Sequence, residues 1–466
     1  MPVHGSTALI ADSRSFSGPV PARAGRDRRA ALAAVLSFLF PGLGQAYNGD
    51  ARLAWVFAGP MLLLTAFTVA LMLLASSGIL ARVVDTEFLA GLIVLDLALL
   101  AWRLVAIIQA HARQASFSVR AWPTWTTVAV IAVTLMMHVL PAFYAVKAID
   151  TLGSIAGRGN GSGNGGIGAF PGWTALPIPS DGPDVSLGER VTVLLVGIDS
   201  SPLRSQALTD TMLVVSIDPN GGQSAMVSVP RDLYGVPLPD GRVYNAKLNS
   251  LMTYAGQRPD EFPLGGAGTL KAAIGDMLGI KIHYFAAVNL FGFKQAVDAI
   301  GGVDITVERA INDPTYRDEL GNKTGFYLQA GPYHMNGHVA LAYVRSRKGV
   351  GDNDFTRAGR QQELLTALRQ KLTAGNLMLA LPGLLDAVKN TIATDIPSSQ
   401  FSALAQTIQD SDVSHLRRIV LQPPTHMTAD PNSSAGYILV PNFDAIRQVG
   451  ADVLANTNAS SSPQAP

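Results

Sequence analysis

Residues 191–235 contain three apolar runs that each close on charged side chains: VTVLLVGIDSSP (191–202), LTDTMLVVSIDP (208–219) and SAMVSVPRDLYG (224–235). Runs of this length that are rich in Val, Leu and Ile are typical of strands buried on both faces of a sheet. Asp199 is then expected just past the first strand and Asp210 just before the second. Arg231 and Asp232 are expected just past the third. Ligand sites in open α/β sheets gather at strand ends, so this charged cluster is a candidate site.

Strands and helices alternate along the C-terminal half of the chain. The predicted strands are Val191–Val196, Met212–Ile217, Ala225–Val229, Tyr284–Val288, Val303–Val307 and Ala340–Val344. The predicted helices are Thr269–Leu278, Phe291–Ile300, Phe355–Leu372, Leu377–Lys389 and Ser399–Asp410. This alternation predicts an α/β fold in which a mixed central sheet is flanked by helices, an α-β-α layered domain.

The composition limits the class of protein. A chain of 466 residues is expected to hold two or more domains. Its net charge of +1 gives no bulk attraction toward nucleic acid, so no nucleic-acid partner is predicted. A hydrophobic content of 48% is high for a soluble protein and indicates membrane spans. The absence of cysteine excludes disulfides, thiol nucleophiles and cysteine-based zinc sites.

Three long apolar segments are predicted to form an α-helical transmembrane region: Ala54–Ala75, Phe88–Ile108 and Trp125–Val146. Each reaches the ~20 residues that the hydrocarbon core requires. A shorter segment, Ala31–Tyr47, is interrupted by Pro-Gly-Leu-Gly and is interpreted as an interfacial or re-entrant half-helix. Asp96 lies inside the second span and is either functional or, as we favour, paired with Arg103 or facing a neighbouring helix.

Basic residues predict the orientation of these spans. Four arginines precede the first span: Arg23, Arg26, Arg28 and Arg29. The loop His111–Arg120 carries two more. Segments rich in Arg and Lys face the cytoplasm, so the N-terminus is predicted to be cytoplasmic. Three crossings then place the C-terminal half outside the cell membrane, whereas a fourth crossing at Ala31–Tyr47 would return it to the cytoplasm.

Composition shifts divide the chain into six predicted segments. Residues 1–30 form a basic cytoplasmic tail, and residues 31–150 form the transmembrane helical region. Residues 151–189 are rich in Gly, Ser, Asn and Pro, which predicts a flexible linker. The α/β domain with the candidate site is predicted at 190–390, a C-terminal part that packs on it at 391–455, and a disordered tail at 456–466.

Several arginines have spacings that suit a phosphate site. Arg345 and Arg347 are two residues apart, so on extended backbone their side chains point the same way. Arg357 and Gln361 are four apart and share one helical face, which continues as a stripe of leucines. Burying an unpaired guanidinium is costly, so Arg357 is expected to meet an anion. That anion is either a phosphate or Asp354, which would pair with Arg357 or cap its helix.

The ordered motifs of the chain resemble those of the LytR-CpsA-Psr family of bacterial cell-wall phosphotransferases. The series GID, TDT and PRD opens the resemblance, and it continues through NAKLN (245–249), IGGVDITV (300–307), MNGHVALAYVRSR (335–347) and DFTRAGRQQE (354–363). The resemblance spans residues 191–372, and the set ending in RSR and RxxRQQ is its specific part. It implies transfer of a glycopolymer from a polyprenyl-pyrophosphate carrier to peptidoglycan, with magnesium (Mg2+) at the pyrophosphate.

The resemblance also implies roles for individual residues. Five positions match the family's phosphate contacts, and Arg360 lies in the same motif: Arg231, Arg345, Arg347, Arg357 and Gln361. Lys247 either touches the glycan or phosphate or forms an ion pair. Asp232 either orients Arg231 or forms an ion pair. The implied catalytic set is Asp210, Arg231, Arg345 and Arg347, with Asp210 as the candidate general base.

Asp199 and Asp210 are the candidate magnesium ligands. Magnesium prefers a few carboxylates together with substrate phosphate oxygens. On the residues alone, a turn that starts at Asp199 and a loop that ends at Asp210 account for both carboxylates. The resemblance, which places the equivalent residues near magnesium and pyrophosphate, favours metal contact.

Other chemistries have weaker signals. The eight histidines show no HExxH spacing and no GxSxG sequence is present, so zinc and serine hydrolases are not predicted. Residues Leu264–Thr269 suggest either an anion site at a helix terminus or, as we favour, a Thr-capped helix. Leu270–Ile280 and Leu377–Val388 either line a lipid pocket or belong to the core, which is favoured. Two functions remain as alternatives: a hydrolase that cleaves the same pyrophosphate with water, and a non-enzymatic binding module for the carrier lipid.

Overall fold

A computed structural model describes residues 21–74, 82, 84–156, 189–199, 208–220, 224–371, 380, 383–387, 392–411 and 416–454. The chain divides into two compact units, one of Met1–Ala75 with Gly91–Phe143 and the other of Ser76–Ala90 with Tyr144–Pro466. The predicted tail at 456–466, most of the predicted linker and most of the predicted helix Leu377–Lys389 lie outside the described residues.

The N-terminal part of the chain is helical. Its helices are α1 (Pro21–Leu39), α2 (Leu43–Tyr47), α3 (Ala51–Leu74), α4 (Thr86–Ala112) and α5 (Trp122–Ala156). Three stretches in the described residues are long and apolar enough to cross a membrane: Ala51–Ala70, Thr86–Ala112 and Trp122–Ile155. They correspond to the three predicted spans. Helix α5 continues through Ala156, six residues into the stretch predicted as a linker.

The predicted half-helix at Ala31–Tyr47 is two helices joined by a turn. Helix α1 ends at Leu39 and α2 begins at Leu43. Pro41 lacks a backbone N–H, and Gly42 has a φ of 105°, which favours glycine. A Cβ at Gly42 would also lie 2.5 Å from Ala54 O, so the turn requires a residue without a side chain.

Asp96 faces a neighbouring helix, which is one of the predicted alternatives. Its Oδ1 lies 2.8 Å from His138 Nδ1 of α5. Arg103, the other predicted partner, donates from Nη2 to Phe38 O at 2.6 Å. Polar groups on apolar helices need such partners because hydrocarbon surroundings offer them no hydrogen bonds.

The second unit is built on a six-stranded mixed sheet, as predicted. Its strands are β1 (Val191–Asp199), β2 (Leu208–Ile217), β3 (Ala225–Ser228), β6 (Tyr284–Asn289), β11 (Ile392–Thr394) and β12 (Arg417–Val420). They are arranged in the order β11-β6-β1-β2-β3-β12. Strand β1 is antiparallel to β2 and parallel to β6, and β12 is parallel to β3. The three apolar runs of residues 191–235 therefore form neighbouring strands in this sheet.

This unit also contains four strand pairs and seven further α-helices with defined bounds. The pairs are β4 (Tyr234–Pro237) with β5 (Val243–Lys247), β7 (Val303–Val307) with β10 (Gly331–Met335), β8 (Ile311–Asp313) with β9 (Phe326–Leu328), and β13 (Met427–Ser433) with β14 (Gly436–Pro441). The helices are α6 (Leu251–Gly256), α7 (Gly265–Leu278), α8 (Leu290–Ala299), α9 (Gly337–Arg345), α10 (Asp354–Lys371), α11 (Phe401–Asp410) and α12 (Phe443–Val449). The predicted strand Val303–Val307 is confirmed, but it pairs with β10 outside the central sheet.

The predicted strand at Ala340–Val344 is wrong, because these residues belong to helix α9. Asn336 caps the helix by accepting a hydrogen bond from Val339 N at 3.0 Å. The five apolar residues that indicated a strand are all buried, so here the helix is enclosed around its whole circumference. Arg345 is the last residue of α9 and Arg347 lies in the loop after it, so the two do not share an extended backbone.

Helix α7 covers one face of the central sheet. It begins at Gly265, four residues before the predicted start, so Thr269 lies inside the helix and does not cap it. Ile274 of this helix and Leu194 of β1 are both fully buried in the main core. The residues Leu270–Ile280 thus belong to the core, as favoured.

The opposite face of the sheet positions the candidate site. Side chains alternate along β1, so Leu194 points into the core whereas Leu195 and Gly197 line a cavity. Helices α8, α9 and α10 lie over this face and supply the other side of the cavity. The candidate site therefore lies between the sheet and these three helices.

Candidate functional site

Two cavities meet at a wall of charged side chains on this face of the sheet. One holds about 500 Å³ and is lined mainly by apolar side chains, and the other holds about 290 Å³ and is more polar. We call them the apolar cavity and the polar cavity. Six residues line both and form what we call the shared wall: Asp210, Thr211, Arg231, Arg347, Arg357 and Gln361. Five of the six are residues that the sequence predicted for the site, although they are far apart along the chain.

The apolar cavity has a floor of strands and a roof of helices. Its floor includes Leu195, Leu213 and Val288 from three neighbouring strands, and its roof includes Phe293, Leu341 and Leu364 from α8, α9 and α10. Concave apolar sites of ~300–1,000 Å³ that carry a few polar groups are typical of ligand pockets. The cavity can therefore accept an apolar group whose polar end reaches the shared wall.

A β-bulge sets the direction of Asp210. The register of β1 on β2 shifts after Gly197, which leaves Asp210 without an opposite residue. Bulges are common beside active sites because they change the direction of the side chain at the extra position. Asp210 Oδ1 accepts a hydrogen bond from Arg231 Nη1 at 2.6 Å. The TDT sequence thus positions a carboxylate in the shared wall.

The close approach of β1 to β2 at this bulge requires a glycine. A Cβ at Gly197 would lie 2.9 Å from Thr211 Cβ and 3.0 Å from Thr211 Oγ1. Thr211 Oγ1 accepts a hydrogen bond from Gln361 Nε2 at 2.9 Å, and the same nitrogen donates to Val344 O at 3.2 Å. The glycine of the GID sequence therefore allows Thr211 and Gln361 to meet in the shared wall.

One carboxylate oxygen contacts three guanidinium groups. Asp354 Oδ1 lies 3.1 Å from Arg347 Nη1, 3.1 Å from Arg357 Nη1 and 3.7 Å from Arg231 Nη2. The predicted pairing of Asp354 with Arg357 is confirmed. Among the described residues, Arg347 and Arg357 both form their ion pair with this one carboxylate. Two positive charges then share one negative charge, so the group keeps a surplus of positive charge. The group can therefore attract a further anion.

Burial makes the surplus charge on Arg357 more costly. Arg357 is 7% exposed, its Nη2 donates to Asp210 O at 3.1 Å, and its buried Nε has no partner among the described residues. Burial lowers the pKa of Arg357, and Asp354 offsets this effect only in part. Burial acts in the same direction on Arg231, but Asp210 and Asp354 outweigh it and raise the pKa of Arg231. Since both guanidiniums remain cationic in proteins, the unused N–H of Arg357 favours a bound anion.

Asp232 and Lys247 form an ion pair beside the shared wall. Lys247 Nζ lies 3.0 Å from Asp232 Oδ1, and Asp232 Oδ2 lies 3.5 Å from Arg231 Nε. Asp232 lines the polar cavity, so it both orients Arg231 and forms an ion pair. Lys247 does not line either cavity. Its contact with a substrate stays a prediction.

Arg345 lies on the apolar side of the site. It lines the apolar cavity but not the polar one. Its Nη1 donates to Arg317 O at 3.3 Å, and its guanidinium carbon lies 5.8 Å from the ring centre of Tyr316. Because Arg345 and Arg347 belong to different structural elements, they approach the site from different directions.

Arg360 lies behind the shared wall and lines neither cavity. It is 9% exposed, and its Nη2 donates to Ser346 O. Its Nη1 lies 3.4 Å from Asp352 Oδ2. These contacts hold both ends of the loop that contains Arg347. A role of Arg360 in phosphate contact stays a prediction, and its contacts here fix a neighbouring segment.

Asp313 is a site residue that sequence reasoning missed. It is 2% exposed and accepts hydrogen bonds from Ser346 Oγ at 3.0 Å and from the backbone N–H of Arg347 and Lys348, each at 3.2 Å. Burial acts to raise the pKa of Asp313, but hydrogen bonds from Thr315, Lys348 and Ser346 hold that pKa below its usual value. The sequence Asn-Asp-Pro-Thr at 312–315 was the available signal, because it is typical of an Asx turn.

The described residues include one of the two predicted magnesium ligands. Asp199 ends β1, but its side chain lies outside the described residues. In the part of the chain that is described, no group of three or more His, Asp or Glu side chains is arranged to hold a metal. Magnesium needs no such group, because it often takes one or two carboxylates and completes its shell with water and phosphate oxygens. Asp210 Oδ1 accepts a hydrogen bond from Arg231, and magnesium binding at Asp210 stays a prediction.

Comparisons with known proteins identify relatives of this chain. A model of the LytR_cpsA_psr family matches residues 180–440, more than half of the chain. The polyisoprenyl-teichoic acid–peptidoglycan teichoic acid transferase TagU of Bacillus anthracis is 27% identical over 229 residues, which cover 49% of this chain and 68% of that protein. Biofilm regulatory protein A of Streptococcus mutans is 32% identical over 227 residues, which cover 47% of this chain and 53% of that protein.

Two solved structures also align with the chain. TagV of B. subtilis covers 57% of this chain and 96% of its own, with 23% identity and a TM-score of 0.45. TagT bound to LIIa-WTA covers 58% of this chain and 92% of its own, with 23% identity and a TM-score of 0.44.

Proposed function

This chain belongs to the LytR-CpsA-Psr family and is a transferase of phosphorus-containing groups, and from that membership we propose its reaction. The donor is a glycopolymer linked to a polyprenyl pyrophosphate, and the acceptor is a hydroxyl of peptidoglycan. The observation that carries this proposal is the shared wall, in which buried guanidiniums separate an apolar from a polar cavity. The proposed donor matches the apolar cavity and this wall, because its lipid chain is apolar and its two phosphates are anionic.

The apolar cavity suits the first isoprene units of the carrier lipid. Its lining of Leu, Val and Phe side chains removes apolar surface from water, which stabilises binding by about 0.8 kcal/mol for each buried CH₂. Arg345 lines this cavity, so it can contact the phosphate next to the lipid. The position of the lipid thus brings the pyrophosphate to the shared wall.

Three arginines of the shared wall suit the pyrophosphate. Arg231, Arg347 and Arg357 already contact one anion, Asp354 Oδ1, so their guanidiniums converge on a small volume. A guanidinium fork binds phosphate oxygens through two parallel N–H bonds and keeps its charge. Gln361, whose amide nitrogen donates to Thr211, lies in the same wall. These groups neutralise the two phosphates and stabilise the phosphate that leaves.

The proposed reaction is a displacement at the sugar-side phosphorus. The acceptor oxygen forms a bond to this phosphorus, the bond to the bridging oxygen breaks, and the electron pair stays on the departing polyprenyl phosphate. Asp210, which lines both cavities, is the proposed acceptor of the hydroxyl proton. Asp199 and Asp210 would hold magnesium, which would supply further positive charge at the phosphate oxygens. Positioning and charge neutralisation carry most of the rate in such reactions.

The membrane region suits a donor that is confined to a bilayer. Three apolar helices are long enough to cross it. We propose that the N-terminus is cytoplasmic and that the α/β domain lies on the extracytoplasmic side, where peptidoglycan is found. The named transferase relatives act on teichoic acid. For this chain we propose the broader class of lipid-linked glycopolymers.

A transfer assay with the full chain tests this function. The protein, in lipid nanodiscs with magnesium, receives a polyprenyl-pyrophosphoryl oligosaccharide and peptidoglycan, and the glycan bound to peptidoglycan is measured. We expect transfer by the wild type and a loss of about 100-fold or more in Arg347→Ala, because one charge-assisted contact in an active site contributes about that much. Arg242→Ala is the matched control, since Arg242 is half exposed and lines neither cavity.

Two results would contradict the proposal. If the wild type released the glycan phosphate into water at the same rate with and without peptidoglycan, it would be a hydrolase. If the wild type bound the donor without any turnover in magnesium, while Arg347→Ala abolished binding, the chain would be a binding module.

A further inference from the structure

The polar cavity lies on the side of the shared wall opposite the apolar cavity, which is proposed to hold the lipid. Building on the proposed function, we propose that it binds the acceptor sugar and that Tyr437 of β14 is the side chain against which the sugar ring packs. Tyr437 lines the polar cavity but not the apolar one, and its side chain is 43% exposed. It comes from the C-terminal hairpin β13–β14, outside the motifs that indicated the site.

The geometry of phosphoryl transfer favours this cavity for the acceptor. The attacking and the leaving oxygen lie roughly in line on opposite sides of phosphorus. If the leaving polyprenyl phosphate extends into the apolar cavity, the attacking hydroxyl must approach from the far side of the shared wall. That side is the polar cavity. The donor glycan is attached at an oxygen outside this line, so it extends sideways and does not fill the polar cavity.

The lining of the polar cavity suits a sugar ring. Tyr437 offers an aromatic face with a hydroxyl, Leu439 lies beside it, and Asp232 and Asn353 offer acceptors and donors for sugar hydroxyls. An aromatic ring beside polar groups suits a sugar, because a sugar ring has apolar faces and hydroxyl groups at its edge. The volume of about 290 Å³ is close to the lower end of the usual ~300–1,000 Å³ range, which fits one or two sugar rings better than a polymer.

The hairpin is fixed to the loop that carries the catalytic groups. Leu439 N donates to Asp232 O at 2.9 Å, and Leu439 forms a parallel bridge with Leu233. Asp232 in turn contacts Arg231 in the shared wall. The Tyr437 hydroxyl is a hydrogen-bond donor at neutral pH, and burial and the neighbouring carboxylates Asp232 and Asp354 raise its pKa further. Tyr437 is therefore held at a fixed position relative to the attacked phosphate.

Separate KM values for donor and acceptor test the proposal. The full chain in nanodiscs is assayed with a short-chain polyprenyl-pyrophosphoryl disaccharide and a soluble peptidoglycan oligomer. We expect Tyr437→Ala to raise the KM for the oligomer about tenfold, as expected for one lost aromatic contact, while the donor KM stays within about twofold. Tyr437→Phe keeps the ring and should raise the oligomer KM about threefold at most.

The control variant is Tyr327→Ala on β9. Tyr327 is also exposed, at 60%, and lines neither cavity, so both KM values should match the wild type. A rise in the donor KM with an unchanged acceptor KM in Tyr437→Ala would show that the donor sugar occupies the polar cavity. Equal values for Tyr437→Ala and the wild type would exclude a sugar contact at Tyr437.

A binding measurement separates this proposal from the proposed function. Calorimetry with the peptidoglycan oligomer alone requires no turnover. Binding by the wild type and its loss of about tenfold in Tyr437→Ala would support the acceptor site even if no transfer were observed. Transfer by the wild type together with equal oligomer binding by Tyr437→Ala would overturn the acceptor site and leave the proposed function intact.

Discussion

Asp354 Oδ1 lies 3.1 Å from Arg357 Nη1, three residues later in the same helix. The same oxygen contacts two further arginines of the shared wall, Arg231 and Arg347. The side chain of Asp354 is 33% exposed, so its carboxylate can turn toward solvent when another anion binds. The carboxylate therefore occupies the point at which the guanidiniums converge, and it competes with any phosphate for them.

Removal of this competing charge should strengthen anion binding. We expect Asp354→Asn to bind inorganic pyrophosphate about tenfold more tightly, because three guanidiniums lose an intramolecular partner. Calorimetry at fixed ionic strength measures the change. The variant should melt at a lower temperature without pyrophosphate and recover with it, since ligand binding stabilises the folded state. Asp240→Asn, at an exposed carboxylate on the β4–β5 turn, is the control. Unchanged pyrophosphate affinity in Asp354→Asn would refute the competition.

Substitution of Gly197 should disturb the shared wall through Thr211. The new Cβ of Gly197→Ala would meet Thr211 Cβ at 2.9 Å, and the displaced threonine would lose its hydrogen bond with Gln361. We expect a loss of about 1–3 kcal/mol, as for other overpacked sites, together with a higher donor KM. Thermal melting and donor kinetics measure the two effects.

The same glycine-to-alanine substitution at Gly359 should have the opposite effect on stability. It lies inside helix α10, and a Cβ there would meet nothing within 4 Å. Gly359→Ala should therefore stabilise the protein by up to about 1 kcal/mol, because alanine has the higher helix propensity. A Gly197→Ala variant as stable as Gly359→Ala would show that the strand pair relaxes around the new side chain.

The sequence predicted the sheet better than it predicted the helices over it. The run of Val and Leu from Val191 forms a central strand, with one face in the main core and the other lining the apolar cavity. The run Ala340–Val344 is also apolar and short, but it forms a helix that Asn336 caps and that is buried around its whole circumference. Periodicity over five residues does not separate these two cases.

The site was predictable only in part, because some of its residues reach it through tertiary contacts. Motif positions gave Asp210, Arg231, Arg347, Arg357 and Gln361, which meet in the shared wall. Asp313 was missed because its local signal, an Asx turn, does not reveal that it accepts a hydrogen bond from Ser346, 33 residues later. Tyr437 was missed for the same reason, since its hairpin reaches the site through a tertiary contact with Asp232.

Asp313 should make the stability of the site depend on pH. Its folded-state pKa lies below the unfolded value of ~3.9, so its contribution is present above that pH and is lost as the pH falls through the lower folded value. We expect Asp313→Asn to lower the melting temperature by a few °C at pH 6, where the ionised carboxylate accepts stronger hydrogen bonds than an amide. The difference from the wild type should shrink below pH 4.

Asp430 on β13 supplies the control for this pH dependence. Asp430→Asn should leave the melting temperature close to that of the wild type at both pH values, because its contact with Asn432 N is solvent-exposed. A constant difference between Asp313→Asn and the wild type from pH 6 to pH 3 would show that the amide loses packing and not charge.

Arg357 and Arg360 are three residues apart, but their substitution by lysine should affect different properties, donor binding for Arg357 and stability for Arg360. Arg357 lines both cavities, so Arg357→Lys loses the planar fork at the pyrophosphate and should raise the donor KM about tenfold or more. Arg360 lines neither cavity and holds Ser346 and Asp352, so Arg360→Lys should mainly lower stability, by about 1–2 kcal/mol. Thermal melting and donor KM separate the two effects.

Comparing Arg357→Lys with Arg360→Lys also decides whether Arg360 contacts phosphate directly or only positions the neighbouring loop. Direct phosphate contact predicts that Arg360→Lys raises the donor KM as much as Arg357→Lys does. The contacts of Arg360 predict a smaller effect, which acts only through the position of Arg347 in the neighbouring loop. Added pyrophosphate distinguishes them further, because it should stabilise Arg360→Lys about as much as the wild type and should stabilise Arg357→Lys less.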